Sequence, residues 1–214
     1  MPHVVFTAHD AAYNDMAAIT LPTLQRYAAR HNYELYIDSE VEAVEKDACK
    51  ARCWLELYRS GRYGVGDIGL WIDTDALVME GSMSIDTAFW SEGGNPHFVW
   101  AYDWNGPNSG VWMARFTSQA AHFIQTYDYL ARAMGWGDNW AMNQTMLLPP
   151  FRDWVKCISG RHMNSNLYAE HGIDGWLHKR HINAYQDGGW ILHLAGLEYE
   201  RRMALLKEYA AKAR

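Results

Sequence analysis

A chain of 214 residues, 49% hydrophobic and 21% charged, can bury one full core, and dividing it would leave two small halves. Its formal net charge is −6, with no basic run longer than two residues, which argues against tight duplex nucleic-acid binding. No apolar stretch approaches twenty residues and the N-terminus opens directly on a strand-like run, so a cytoplasmic protein without a membrane span is expected.

His3-Val4-Val5-Phe6-Thr7 reads as a buried strand that ends in His9-Asp10. Apolar spacing at Leu21, Leu24, Ala28 and His31 predicts a helix over residues 14–31, with Pro22 starting or kinking it. Residues 33–37 alternate as a second strand. Residues 46–60 read as a helix in which Cys49, Cys53 and Leu57 recur every four positions, stopped by Gly61. The third cysteine is Cys157. An odd count gives no disulfide framework, and no further thiol or imidazole lies close enough in sequence to complete a zinc site, so buried thiols are expected.

A third strand over 70–72 ends at Asp73. Strands over 98–102 and 110–114 flank the turn residues Trp104-Asn105-Gly106-Pro107-Asn108-Ser109. Helices over 117–134 and 139–148 follow, then strands over 154–158 and 190–194. The amphipathic, mostly polar tail over 197–214 reads as a surface helix. Strands alternating with helices predict one α/β domain, 1–214, with a central, mostly parallel sheet flanked by helices.

The chemistry starts at Gly69-Leu70-Trp71-Ile72-Asp73-Thr74-Asp75. An apolar strand that delivers two carboxylates, one residue apart, can present both to one ion. Two carboxylates plus substrate phosphates suit Mg²⁺ or Mn²⁺; a solvated Asp-Thr-Asp turn is the plain alternative. His193, at the end of Gly189-Trp190-Ile191-Leu192-His193, is a candidate third ligand, since neutral imidazole completes such a set. Alone it would read as a hydrogen-bonded core histidine.

Several strings, in order, resemble the GT-A glycosyltransferases, in particular the retaining galactosyl-, mannosyl- and xylosyltransferase family (glycosyltransferase family 34-like). They are Tyr27-Ala28-Ala29-Arg30-His31-Asn32-Tyr33-Glu34-Leu35-Tyr36, Trp71-Ile72-Asp73-Thr74-Asp75-Ala76-Leu77, Asn108-Ser109-Gly110-Val111-Trp112-Met113-Ala114-Arg115, Asn143-Gln144 and His193-Leu194-Ala195-Gly196. The resemblance implies a GT-A (Rossmann-like) fold, a nucleotide-diphosphate sugar donor such as a UDP-sugar, a Mn²⁺ or Mg²⁺ cofactor, and transfer with retention. It places Asp73, Asp75 and His193 at the metal, with Thr74 between them. Thr7, Ala8 and Asp10 fall where the nucleoside is held, and Lys50 or Arg52 where a basic residue meets donor phosphate or sugar. Asn108, Ser109 and Gly110 fall beside the transferred sugar, and Gly196 on the donor side.

Gln144 matches a glutamine near the reacting carbon, but the residue before it, acidic in the family, is Asn143 here. A neutral amide cannot be a carboxylate nucleophile. Asp138 could substitute for it in space or cap its helix. Same-face attack is therefore favoured, in which the departing phosphate oxygen helps take the acceptor's proton, over a covalent route through Asp138. Asp103, Trp104, Trp136, Trp140 and Trp176 read either as acceptor-stacking residues or as core filler. Lys179-Arg180-His181 is a candidate diphosphate or acceptor patch, and Arg161-His162-Met163-Asn164-Ser165 resembles a family segment with no role assigned. The acceptor stays open among a glycan, a protein and a modified nucleobase, and oligomeric state is open too. A metal-dependent nucleotidyltransferase or phosphohydrolase, and a non-catalytic carbohydrate-binding protein, are the competing readings.

Overall fold

In the computed structural model, which describes residues 2–42, 48–91, 93–103, 106–134, 137–158, 163–167 and 183–214, strands and helices alternate along the chain. Their order is β1 (Val4–Ala8), α1 (Asn14–His31), β2 (Glu34–Asp38), α2 (Cys49–Arg59), β3 (Ile68–Ile72), β4 (Ala76–Val78) and α3 (Ile85–Phe89). Then come β5 (Phe98–Asp103), β6 (Gly106–Arg115), α4 (Ser118–Met134), α5 (Asp138–Leu147), β7 (Val155–Ile158), β8 (Ile191–His193) and α6 (Tyr199–Ala210). Pro22 sits inside α1 without ending it.

Six strands form the central sheet in the order β2-β1-β3-β6-β5-β7. The pairs β1–β2, β1–β3 and β5–β7 are parallel, and β6 alone runs against its neighbours. The reversal follows from chain length. β5 ends at Asp103 and β6 starts at Gly106, and so short a link joins only antiparallel strands. Residues 106–109 thus belong to β6 and not to the turn expected there. Of these, 106–108 pair with 101–103 beyond a register shift at Trp100/Ala101, and that cross-strand pairing overrides their turn propensity.

Side chains alternate between the two faces of the sheet. Val4, Phe6, Trp71, Phe98, Trp100 and Trp112 pack on one face with Cys53, Trp54 and Leu57 of α2, Phe123 of α4 and Met142 of α5. Val5, Leu70, Ile72, Val99, Val111 and Met113 pack on the other, with Leu24 and Tyr27 of α1 and Phe89 of α3. Cys49 and Cys53 are buried thiols, and burial pushes the Cys49 thiol up to about 12.

β4 and β8 form a small antiparallel ribbon off the sheet, with Ala76 opposite His193. α6 closes over it: Leu205 and Leu206 are buried against Met16, Leu77, Leu192 and Leu194. Among the described residues no helix is long and apolar enough to cross a membrane.

Candidate active site

β3 is buried along its whole length and ends at the sheet's edge, where the chain turns through Asp73, Thr74 and Asp75 into β4. The turn is fixed on both sides. Asp73 N donates to the Gly110 carbonyl at 2.8 Å, Ala76 N to the Asp73 carbonyl at 3.0 Å, and Thr74 Oγ1 to the Ala8 carbonyl at 3.0 Å. Thr74 is therefore a strut to β1, and the two carboxylates converge through the turn and not through a strand pleat.

The ribbon pairing brings His193 to this turn. His193 Nε2 lies 3.1 Å from Asp75 Oδ1 and 3.9 Å from Asp73 Oδ2. One ligand atom from each of the three residues falls within 4.8 Å of the others. The remaining oxygen of each carboxylate is taken. Trp71 Nε1 donates to Asp73 Oδ1 at 2.6 Å and Lys50 Nζ at 3.1 Å, while Arg202 Nη1 donates to Asp75 Oδ2 at 2.8 Å. Each aspartate thus turns one oxygen toward the imidazole and has the other tied by the protein, with Lys50 Nζ also reaching Asp73 Oδ2 at 3.4 Å. Arg202 also donates through Nη2 to the Leu197 carbonyl at 2.7 Å.

His193 is buried, and its Nδ1 donates to Asn164 Oδ1 at 2.8 Å, which leaves Nε2 to face the aspartates. Burial opposes its charge, but Asp75 beside it raises its pKa above the ordinary histidine value, and both ring nitrogens face acceptors. Burial likewise opposes the Asp75 charge, and His193 and Arg202 outweigh it, holding Asp75 down at about 2. The ring presses its Cε1 against Gly110. A Cβ there would stand 2.7 Å from both Nδ1 and Nε2, so only glycine leaves room for it. Gly110 therefore has a role that needs no sugar.

Lys50, from the first turn of α2, is 2% exposed and forms the floor. Its ammonium meets Asp138 Oδ2 at 2.5 Å, Asp73 Oδ1 at 3.1 Å, and Ser109 O and Oγ at 3.2 Å each. Burial works against this charge, yet Asp138 and Asp73 hold its pKa well above the ordinary lysine value. Asp138 is the first residue of α5, and Gly137, not Asp138, is the N-cap. Burial would raise the Asp138 carboxyl, but Lys50 and Ser109 hold it below the usual range. Ser109 Oγ donates to Asp138 Oδ2 and Ser109 N to Asn139 Oδ1, both at 2.6 Å.

The acid–amide pair that reaches the site is thus Asp138-Asn139, not Asn143-Gln144. Asn143 turns back to the Asn139 carbonyl at 2.8 Å, and neither it nor Gln144 lines the cleft. Asn143 follows Asn139 at i, i+4, one turn further along α5, whereas the contacts to Lys50 and Ser109 come from the first turn of the helix. Of the two basic residues, Lys50 lines the cleft, whereas Arg52 bonds Asp38 Oδ2 at 2.6 Å and Glu56.

The cleft over this floor is lined by Ala8, His9, Asp10 and Tyr13 after β1, Val41 after β2, and the turn residues after β3, with Cys49, Lys50, Trp71, Asp138 and Arg202. Ala8 and Asp10 line this cleft. Thr7 does not: the pleat turns it to the opposite face, where it is buried. Asn108 is buried as well, bridging Asp103 Oδ2 and the Gly110 amide, so Asp103 is occupied there. Gly196, with φ +75°, makes the left-handed turn between β8 and α6 and does not line the cleft. Trp140 packs on the core. Lys179, Arg180, His181, Arg161, His162, Trp104, Trp136 and Trp176 lie outside the described residues.

Sequence reasoning missed Arg202, because the tail read as a surface helix. A signal was present: Arg202, Leu205 and Leu206 stand at i, i+3 and i+4, one inward face. It also left Asn164 without its role as the partner of His193.

No family model matches the chain, and no curated protein matches it. Solved structures do. A glycosyltransferase involved in the glycosylation of the major capsid of PBCV-1 is 16% identical at a TM-score of 0.71, over 97% of this chain and all of that one. The galactosyltransferase LgtC, solved with donor and acceptor sugar analogues, is 13% identical at 0.59, over 98% and 96%. The glycosyltransferase GlyE of Streptococcus pneumoniae TIGR4 is 15% identical at 0.61, over 98% of this chain and 60% of that one. The chain has the GT-A glycosyltransferase fold, as the ordered motifs implied.

Proposed function

We propose that this chain is a metal-dependent glycosyltransferase that takes a sugar from a nucleotide-diphosphate donor, most simply a UDP-sugar, and passes it to an acceptor with retention. The observation that carries the reading is the convergence of Asp73 Oδ2, Asp75 Oδ1 and the buried His193 Nε2 beside one cleft, lined by the two aspartates, in a glycosyltransferase fold. Two carboxylate oxygens and an imidazole nitrogen, each carboxylate offering one oxygen, fit Mn²⁺ or Mg²⁺ with positions left for phosphate. Bound there, the ion would supply Lewis-acid stabilisation to the leaving diphosphate.

The chain's own residues supply the rest. Asn164 and Gly110 fix the His193 ring, and Trp71 and Lys50 fix Asp73. Ala8, His9, Asp10, Tyr13 and Val41 form the end of the cleft that suits a nucleoside. Both Asp138 oxygens are engaged, one by the Asn139 amide and the other by Lys50 and Ser109. A carboxylate held in that way is a poor nucleophile, which favours same-face attack, with Asp138 and Asn139 holding the sugar in place of Asn143 and Gln144. A two-metal nucleotidyltransferase fits less well, because the Lys50 ammonium stands between Asp73 and Asp138, where a second cation would have to sit.

Incubation with Mn²⁺ and a panel of UDP-, GDP-, ADP- and CDP-sugars tests the reading. Nucleoside diphosphate release from one donor class, with the donor's anomeric configuration kept in the product by NMR, supports it. Nucleoside monophosphate and sugar 1-phosphate as products, or nucleoside triphosphate and sugar 1-phosphate when pyrophosphate is added, would replace it with the phosphohydrolase or the nucleotidyltransferase reading.

A further inference from the structure

The lysine and arginine side chains that line the cleft, among the described residues, are Lys50 and Arg202. They differ in what they have left to give. Lys50 carries three N–H groups, and its ammonium already faces four oxygens within 3.2 Å: Asp73 Oδ1, Asp138 Oδ2, Ser109 O and Ser109 Oγ. It is spent on the protein. Arg202 carries five N–H groups and places two of them, on Asp75 Oδ2 and the Leu197 carbonyl, while its Nε is buried without a partner. Its guanidinium is held at the cleft wall by those two bonds, on a helix anchored through Leu205 and Leu206.

A nucleotide diphosphate adds negative charge to a cleft already lined by Asp73, Asp75 and Asp138. Resting on the proposed donor chemistry, we propose that Arg202 grips the donor's diphosphate, and that its second contact, on Asp75, couples that grip to the metal. With the diphosphate absent, the guanidinium charge is directed at Asp75 and opposes a cation arriving beside it. With the diphosphate present, the same charge is shared with phosphate oxygens, where a planar two-point donor suits them. Metal and diphosphate therefore each favour the other's binding through one side chain, in addition to any direct bond between them.

The test reads two affinities with opposite expected signs. Binding of Mn²⁺ alone is followed by electron paramagnetic resonance of the free ion. Binding of the tightest of UDP, GDP, CDP and ADP at saturating Mn²⁺ is followed by calorimetry, with the parent nucleoside as control. In R202M, Mn²⁺ alone binds about tenfold tighter and the diphosphate about tenfold weaker, with the nucleoside unchanged. R202K keeps the charge but not the two-point donor, so Mn²⁺ affinity stays within about twofold while diphosphate affinity still falls severalfold. Opposite signs cannot come from a damaged fold. The proposal is overturned if both affinities fall together in R202M or if neither moves. Wild-type protein that binds neither Mn²⁺ nor any of the nucleotides would sink the donor reading itself; wild-type protein that binds both, with R202M indistinguishable from it, would sink only the role of Arg202.

Discussion

At the candidate site each group that faces the cleft is set by a group behind it. His193 offers Nε2 because Asn164 takes the proton on Nδ1 and Gly110 leaves the ring its place. Gly110→Ala pushes a methyl into that ring. It should cost about 1–3 kcal/mol of stability by thermal denaturation, with a matching loss of Mn²⁺ affinity. Asn164→Leu removes the acceptor and should weaken Mn²⁺ binding by about 10–100-fold with the fold retained. Asp138 gives a pH dependence. Its folded pKa lies below the ordinary carboxylate value near 3.9, despite burial, because of Lys50. Its stabilisation is therefore complete above that value and lost as pH falls through the folded pKa. Urea unfolding between pH 6 and pH 3 should show a drop that Asp138→Asn flattens. Asp73, Asp75 and His193 were legible because residue type and position at a strand's end both pointed to a ligand. Their partners were not: Asn164 lies 29 residues from His193 and Arg202 lies 127 from Asp75, and nothing local marks either pair.

At the scale of elements, periodicity carried most of the reading. Residues 14–31 form α1 as the spacing of Leu21, Leu24 and Ala28 requires, and α2 and α4 follow the same logic. Short pieces escaped it. β4 and α3 have three and five residues, too few to show a period, yet β4 is what pairs with β8 and brings His193 to Asp75. α5 runs within one residue of its expected bounds, but the side chains that meet Lys50 and Ser109 stand in its first turn and not at Asn143 and Gln144. The site needs the first turn, where Asp138 and Asn139 meet Lys50 and Ser109. The tail helix α6 is the amphipathic surface helix its pattern predicts, with Leu205 and Leu206 buried, but the pattern does not mark Arg202 as reaching Asp75 from the inward face. Leu206→Ala should cost about 2–5 kcal/mol in urea unfolding, since Leu206 is fully buried. It should also loosen the hold of α6 on the Asp75 carboxylate.

For the molecule as a whole, strand direction explains where the cleft is. β1, β2 and β3 are parallel, and their C-terminal ends supply Ala8 to Tyr13, Val41 and the Asp73–Asp75 turn, the edge at which open α/β sheets bind ligands. β6, the one reversed strand, enters from that same edge and carries Ser109 and Gly110 to it at its start. A parallel strand in that position would deliver its C-terminal end there instead. The central claim is that Asp73, Asp75 and His193 hold the ion on which donor cleavage depends. It is tested most directly by the rate of nucleoside diphosphate release from the best donor, with Mn²⁺ and with excess EDTA, in wild type and Asp75→Ala. The account predicts release that EDTA abolishes and that Asp75→Ala lowers by more than about 100-fold with the fold retained by circular dichroism at the assay temperature. Release that survives both EDTA and the substitution would contradict it.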